Sequence, residues 1–296
     1  MIQVVALSPA IDVTYRVDAA ALGAQHRVIE VVRRAGGKAL NVLSVLGKLS
    51  TPSRLILPLG GAGGEWISSR LTQSSVTFAR ISTQAPTRQC LTIVDADSAT
   101  EFNEPPPVLT AQEVETMMNA LGPSDVTIFS GSISCFIDPL ALSALFSKAR
   151  DLSEVVIVDT SGGALRLASQ FADYVKPNSR ELREIAGDDR LESALQILNP
   201  ATVILSRAEG GVTLYGADTL SSVGPIQKGN STGAGDAFVA GFASRLHRGT
   251  EAALHYAVAV AGASVSSPTA GEVDMEIVAT LFPQIEVRNH GPRTHQ

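Results

Sequence analysis

Between Asn230 and Phe238 the chain reads Asn-Ser-Thr-Gly-Ala-Gly-Asp-Ala-Phe, three almost bare residues followed by a carboxylate. Gly233, Ala234 and Gly235 carry so little side chain that their backbone amides can approach a ligand closely. Phe238, Phe242 and Leu246 recur at helical spacing, which predicts a helix starting at this turn. Free amides and the positive end of a helix dipole together make an anion site. An acid placed inside an anion site works against binding, so Asp236 calls for another role. A general base beside a transferring phosphoryl group supplies one. Taken alone, the segment reads equally well as an N-cap aspartate on a glycine-rich turn.

A second constellation is Ala35-Gly36-Gly37-Lys38-Ala39-Leu40-Asn41-Val42, which also opens a helical pattern. Two glycines allow close backbone contact, and Lys38 and Asn41, three apart, can share one side of a helix. The same stretch also reads as a common turn with a solvated lysine. Neither a Walker A spacing nor a Gly-x-Gly-x-x-Gly fingerprint occurs, since Gly233-Ala234-Gly235 continues to Phe238.

The elements that must position these residues follow from the apolar pattern. Buried-strand runs fall at residues 2–7, 54–59, 126–129, 155–158, 174–176 and 203–205. Helical patterns follow most of them, at 39–49, 65–71, 111–120, 139–149, 179–185 and 237–246. That alternation predicts an α/β fold, a doubly wound and mostly parallel sheet flanked by helices. Residues 12–17 with 28–33, and 89–95 with 100–103, alternate polar and apolar without an intervening helix. They are expected to form a small antiparallel β lid on a single domain spanning 1–296, inserted at about 10–34 and 86–105. Pro105-Pro106-Pro107 ends the second pair, and residues from about Arg288 are expected to be a frayed tail.

Composition narrows the function. With 296 residues and 45% hydrophobic content the chain can bury a full core, and its net charge of −6 argues against nucleic acid as a partner. Cys90 and Cys135 make no disulfide framework, and no Cys/His cluster has metal-ligand spacing. The first residues read as a strand rather than a leader, and no apolar run reaches spanning length, so no membrane partner and a cytoplasmic location are expected. His26, His247, His255, His290 and His295 form no nucleophile–base pattern. Trp66, beside the 60–64 glycine loop, reads as helix packing.

Taken together, the two glycine-rich helix starts resemble the PfkB family of carbohydrate kinases, over essentially the whole chain. Further landmarks fall in the family's order. Pro9-Ala10-Ile11-Asp12 resembles the start of the phosphosugar branch, with Ser8 in place of asparagine. Thr87-Arg88 and Thr100-Glu101-Phe102-Asn103-Glu104-Pro105 resemble that branch's lid strands, and Ser130-Gly131-Ser132 a substrate-holding turn. Lys176-Pro177-Asn178-Ser179-Arg180-Glu181 is similar to the element that manages magnesium and phosphates, and Ser206 to Gly211 to a nucleotide turn.

The resemblance implies a ribokinase-like fold and transfer of the γ-phosphoryl group of ATP to a ketohexose phosphate, fructose 1-phosphate first among them. Asp236 is then the base, with the Gly233, Ala234 and Gly235 amides on the developing charge. Asp12, Gly36, Gly37 and Asn41 hold the sugar, with Asn103 at its edge. Lys38, Arg88 and Ser132 receive a phosphate already on it, Arg88 by a bidentate fork. Lys176, Asn178, Ser206, Gly211, Thr232, Gly233, Gly235 and Ser264 bind the nucleotide. Asn178 and Glu181 act on Mg²⁺ through water, and a monovalent cation is allowed. As bare residues, Asn178 and Glu181 also read as a capping box, Asp12 as a turn residue and Arg88 as a solvated face residue. Ala39, Arg207 and Ala208 depart from the family pattern. The apolar lid residues Val13, Val17, Leu91 and Ile93 are expected to be exposed and covered by a second copy in a homodimer. A tagatose-6-phosphate kinase or 6-phosphofructokinase, a kinase for an unphosphorylated sugar and a non-catalytic sugar-phosphate-binding regulator remain the alternatives.

Overall fold

Near-continuous apolar runs build the centre of the fold, because parallel strands covered by helices are buried on both faces. The computed structural model describes residues 1–292 except 97, 189, 199–200, 208–209 and 268. β1 (Ile2–Ala6) is buried along its whole length. It runs parallel to β4 (Ser53–Leu59) on one side and β8 (Ser124–Ser130) on the other. Beyond β4 lies β5 (Phe78–Ser82); beyond β8 lie β9 (Ser153–Asp159), β10 (Tyr174–Val175) and β11 (Thr202–Ser206), all parallel. β12 (Val212–Tyr215), β13 (Asp218–Val223) and β14 (Glu286–Pro292) complete the ten-stranded sheet antiparallel, in the order β14-β13-β12-β11-β10-β9-β8-β1-β4-β5.

Strand order reverses direction at β1. The chain first moves outward to β4 and β5, then returns to β8 and continues the other way. In open α/β sheets such a switch leaves a crevice at the carboxyl ends of the two diverging strands.

Helices cover both faces. α1 (Lys38–Lys48), α2 (Gly61–Gln73), α8 (Ala234–Arg245), α9 (Thr250–Val265) and α10 (Met275–Leu281) share one apolar cluster. α3 (Ala111–Ala120), α4 (Pro139–Leu152), α5 (Gly162–Ala168), α6 (Ser179–Ala186) and α7 (Leu191–Ile197) share the other. Local chemistry sets several starts: Thr110 and Glu113 form a reciprocal capping box on α3, and Asp138 caps α4 just before Pro139.

A second, four-stranded sheet has the order β3-β2-β6-β7. β2 (Ala10–Arg16) pairs antiparallel with β3 (Glu30–Gly36), and β6 (Arg88–Val94) with β7 (Ala99–Asn103). The two hairpins join through a parallel pairing of β2 with β6.

Two expectations are corrected. The segment expected to fray from Arg288 is paired: residues 286–292 form β14 on β13, and residues 293–296 lie outside the described residues. Its partner strand is more than sixty residues upstream, a pairing that local pattern does not announce. Val13 and Val17, expected on the exposed lid face, are already buried within one chain, and Leu91 and Ile93 are half-buried. The apolar side chains left in water on this sheet are Val31, Val32 and Phe102. α9 had no helical signature because small apolar residues ring it on all sides, as burial against α8, α10 and the sheet requires.

The second cluster turns on Phe146, fully buried and edge-on to Phe129 at 4.9 Å. Phe146→Ala is expected to cost about 3–5 kcal/mol by transfer and cavity terms. A chemical denaturation series should show the midpoint falling with an unchanged slope.

Candidate active site

α8 begins on a left-handed residue: Gly233 has φ 84°, and a Cβ there would come within 2.7 Å of the Ala270 side chain. Only glycine meets both demands without strain. The turn delivers Asp236 to the first turn of α8, buried, where Asn41 of α1 donates Nδ2 to its Oδ2 at 2.8 Å. Burial is the main reason its carboxyl is pushed up to about 7, and the nearby Asp159 adds to it. The Asn41 bond and the ammonium groups of Lys38 and Lys176 pull the other way.

Asp159, at the carboxyl end of β9, is the neighbour that sequence reasoning missed. Lys38 Nζ donates to its Oδ1 at 3.1 Å, and Lys176 Nζ stands 3.4 Å from Oδ2. Burial alone would raise this carboxyl, but the two ammonium groups outweigh it and hold it below the usual range. The same contact raises Lys38 above the ordinary lysine value. Lys176 also stands over the turn, since a Cβ at Gly235 would meet its Nζ at 3.2 Å. The available signal was an aspartate ending a parallel strand and leading into Thr160-Ser161-Gly162-Gly163.

Three hydroxyls follow the same edge. Ser8 Oγ beyond β1, Ser130 Oγ at the end of β8 and Thr160 Oγ1 beyond β9 are buried and have no hydrogen-bond partner among the described residues. They lie on adjacent strands at the crevice, and unsatisfied buried hydroxyls suit a polar ligand there. Ser132 follows Gly131 at this edge and is half-buried.

The small sheet contributes a polar row. Asp12 lies opposite Arg34 on β3 and Cys90 on β6, and Cys90 in turn opposite Asn103 on β7. A Cβ at Gly36 would overlap the Asp12 carboxylate, and Gly37, φ 94°, would crowd Ser8 and Pro9. Burial raises the Asp12 carboxyl, while the Gly37 amide, Arg34 and Arg88 draw it down in part. Arg88 gives Nη1 to the Glu104 carbonyl at 3.0 Å and Nη2 to the Ser8 carbonyl at 3.3 Å.

Other candidates are engaged locally. Asn178 accepts from the amides of Arg180 and Glu181, and Glu181 Oε2 accepts from the Asn178 amide, a complete capping box on α6. Asn178 bridges to Ser206 at the end of β11, so both stand at the same edge as Lys176. Gly211, φ 76°, turns β11 into β12 where a Cβ would run into the Ser222 carbonyl. The Thr232 amide donates to Asn230 Oδ1 at 3.0 Å. Ser264 is buried in α9 and returns its hydroxyl to the Ala261 carbonyl. Arg207 is held by Thr213 and Tyr215, and Ala208 lies outside the described residues. Trp66 packs at the core margin, with Arg70 over its ring.

A doubly wound sheet, a glycine-capped helix with a buried acid and a small second sheet define an α/β protein with an acid set in an anion-binding helix start. The pfkB family carbohydrate kinase profile matches residues 1–277, and the chain belongs to that family. It is thereby a phosphotransferase acting on an alcohol group, and the family implies ATP and a divalent metal. The solved structures it resembles include phosphofructokinase-2 from Escherichia coli in complex with potassium, with TM-score 0.87 and 23% identity over 95% of this chain and 98% of that one. The same enzyme in complex with fructose-6-phosphate gives TM-score 0.83 and 24% identity over the same shares. A Thermotoga maritima protein described as "Possible 1-phosphofructokinase" gives TM-score 0.82 and 20% identity over 97% and 99%. These likenesses concern the fold.

Asp236→Asn is expected to lower turnover by about 10²–10⁴-fold, the range for loss of a general base, with little change in ligand affinity. In the native chain, turnover should fall as pH drops through about 7, where the carboxyl takes up its proton. Between the ordinary carboxylate value of 3.8 and about 7 the folded chain holds a proton that the unfolded chain releases. Stability from this group is therefore fully present below that window and declines as pH rises through it. Asp236→Asn should melt higher than the native chain at pH about 8, and an unchanged melting temperature there would count against the buried charge.

Proposed function

We propose that the chain transfers the γ-phosphoryl group of ATP to a hydroxyl of a ketohexose phosphate, with fructose 1-phosphate as the preferred acceptor. The observation that carries the reading is Asp236: a buried carboxylate with a raised proton affinity, in the first turn of a glycine-capped helix. Asp236 takes the acceptor proton as the hydroxyl oxygen bonds to the γ-phosphorus and the bond to ADP breaks. The amides of residues 233–236 meet charge on the phosphoryl oxygens, aided by the helix dipole. Lys176, poised over Gly235, neutralises phosphate from the other side. Asp12, Asn41 and the Gly36–Gly37 turn close over the sugar.

The residues present fit a divalent ion held mainly by water and phosphate oxygens. No cluster of three or more His, Cys, Asp or Glu side chains among the described residues could cage a metal. Asn178 and the buried Glu181 stand at the strand edge beside Ser206, and Mg²⁺ keeps several waters in such sites. When bound, the ion would neutralise phosphate charge during transfer. Potassium is present in one E. coli phosphofructokinase-2 structure, which supports a monovalent cation here as well.

The phosphosugar reading is supported by Arg88, a guanidinium with no carboxylate within ion-pairing distance among the described residues and with its Nε buried and unpartnered. The fructose-6-phosphate complex of the E. coli enzyme favours a ketohexose 6-phosphate as the second reading. A coupled ADP-release assay over fructose 1-phosphate, fructose 6-phosphate, tagatose 6-phosphate, fructose and ribose separates these. Arg88→Ala should cut kcat/KM for the phosphosugar by about tenfold to a hundredfold, the value of one charge-assisted contact. Its slow use of free fructose and its KM for ATP should stay level. A wild-type preference for free ribose or fructose would overturn the phosphosugar reading.

We also infer a homodimer through the small sheet, whose Val31, Val32 and Phe102 are 47%, 41% and 49% exposed in the single chain. One E. coli phosphofructokinase-2 structure is a tetramer, which supports self-association in this fold. Sedimentation at micromolar concentration should give a dimer, and Phe102→Lys should shift it toward monomer. A native monomer would end the proposal.

A further inference from the structure

Three cations, Lys38, Arg34 and Arg88, stand near the residues proposed to hold the sugar, and the geometry divides them. Lys38 donates to Asp159 at 3.1 Å and shares that carboxylate with Lys176, which turns it toward the end of β9. Arg88 and Arg34 are different. They lie on the same face of the small sheet, Arg34 opposite Asp12 and Arg88 opposite Ala10, and both act on the Asp12 carboxyl. Neither guanidinium has a carboxylate within ion-pair distance among the described residues. Both are oriented by main-chain carbonyls, Arg34 by Ala270 at 3.3 Å and Arg88 by Ser8 and Glu104. A carbonyl aims a guanidinium without cancelling its charge, and one bond leaves most of the five donors of Arg34 unspent. Two aimed, uncancelled guanidiniums on one half-buried face call for a multiply charged oxyanion, which phosphate supplies with a matching fork geometry.

We propose that Arg34 is the second residue holding the acceptor's own phosphate, sharing it with Arg88, while Lys38 serves Asp159 instead. The assignment rests on the phosphosugar reading above. It makes Arg34 a specificity residue, because a sugar without a phosphate gains nothing from it. The competing role is mechanical: the bond to Ala270 ties β3 to the segment that packs against Gly233 and Asn41. A latch of that kind would serve every acceptor equally.

The test compares wild type, Arg34→Met, Arg34→Lys and Arg33→Met, an exposed arginine one residue away on the other face of the strand. Fructose 1-phosphate and fructose are the acceptors, and inorganic phosphate is titrated as a competitor of whichever sugar wild type uses better. Arg34→Met should lose about tenfold to a hundredfold in kcat/KM on the phosphosugar. It should stay within about twofold on fructose and raise the phosphate inhibition constant by about tenfold or more. Arg34→Lys should recover part of the loss as a point charge, and Arg33→Met should behave as wild type. A melting temperature close to wild type verifies that the variants fold. Equal losses on both sugars would establish the latch and overturn the assignment, as would undiminished use of the phosphosugar. If wild type prefers a free sugar, the substrate reading fails by itself. The inhibition constant then decides Arg34 separately, and a value unchanged in Arg34→Met overturns it.

Discussion

A carboxylate with almost no access to water, Asp159, governs the arrangement around it. Its side chain is 1% exposed, and a charge in that position persists only if it is paired. The two lysines that pair with it come from different parts of the fold, Lys38 from the first turn of α1 and Lys176 from the end of β10. The triad therefore pins a helix of one layer to the middle of the sheet. Removing one partner of a buried pair typically costs about 3–5 kcal/mol, so the three side chains stand or fall together. Lys176 is thereby held over the Gly235 turn, and Asp236 feels a second negative charge nearby.

From that constraint follows a division of labour. The groups proposed to act on the transferred phosphoryl stand on rigid elements: the carboxyl edge of the parallel strands and the first turn of α8. Groups suited to recognising the acceptor stand on the small sheet, whose strands leave the main sheet and return to it. On the proposed reading, the positions assigned to the chemistry are packed in the core, and those assigned to acceptor choice lie on the small sheet. Asn41 crosses this boundary, reaching from the α1 start to the carboxylate at the α8 start.

What could be read from the residues alone was whatever is local. Both glycine-rich helix starts were legible because amide exposure, left-handed turns and apolar spacing are properties of a few adjacent residues. The bounds of α3 were legible for the same reason, through the apolar spacing over 111–120. The contact between Asn41 and Asp236, 195 residues apart, was not, since no local pattern encodes it. Asp159 was overlooked because an aspartate after a buried strand looks like any strand-end turn until its lysines are in place. β14 looked like a tail because a mostly exposed edge strand carries little apolar signal. Val13 and Val17 were assigned to the wrong environment because alternation gives the two faces of a strand but not which face the rest of the chain covers.

Gly36 has a consequence for how this chain can change over generations. The space a side chain would need at that position is already filled by the Asp12 carboxylate. The two residues, apart in sequence, are diagonal neighbours across β2 and β3, Gly36 opposite Ala10 and Asp12 opposite Arg34, so what either position tolerates depends on the other. A side chain at position 36 forces the Asp12 carboxylate to move, whereas shortening residue 12 first opens the way for a larger residue at 36. Change at these two positions is in this sense directional, with the acid yielding before the glycine, and pairs such as alanine at both positions are reached by that order of steps.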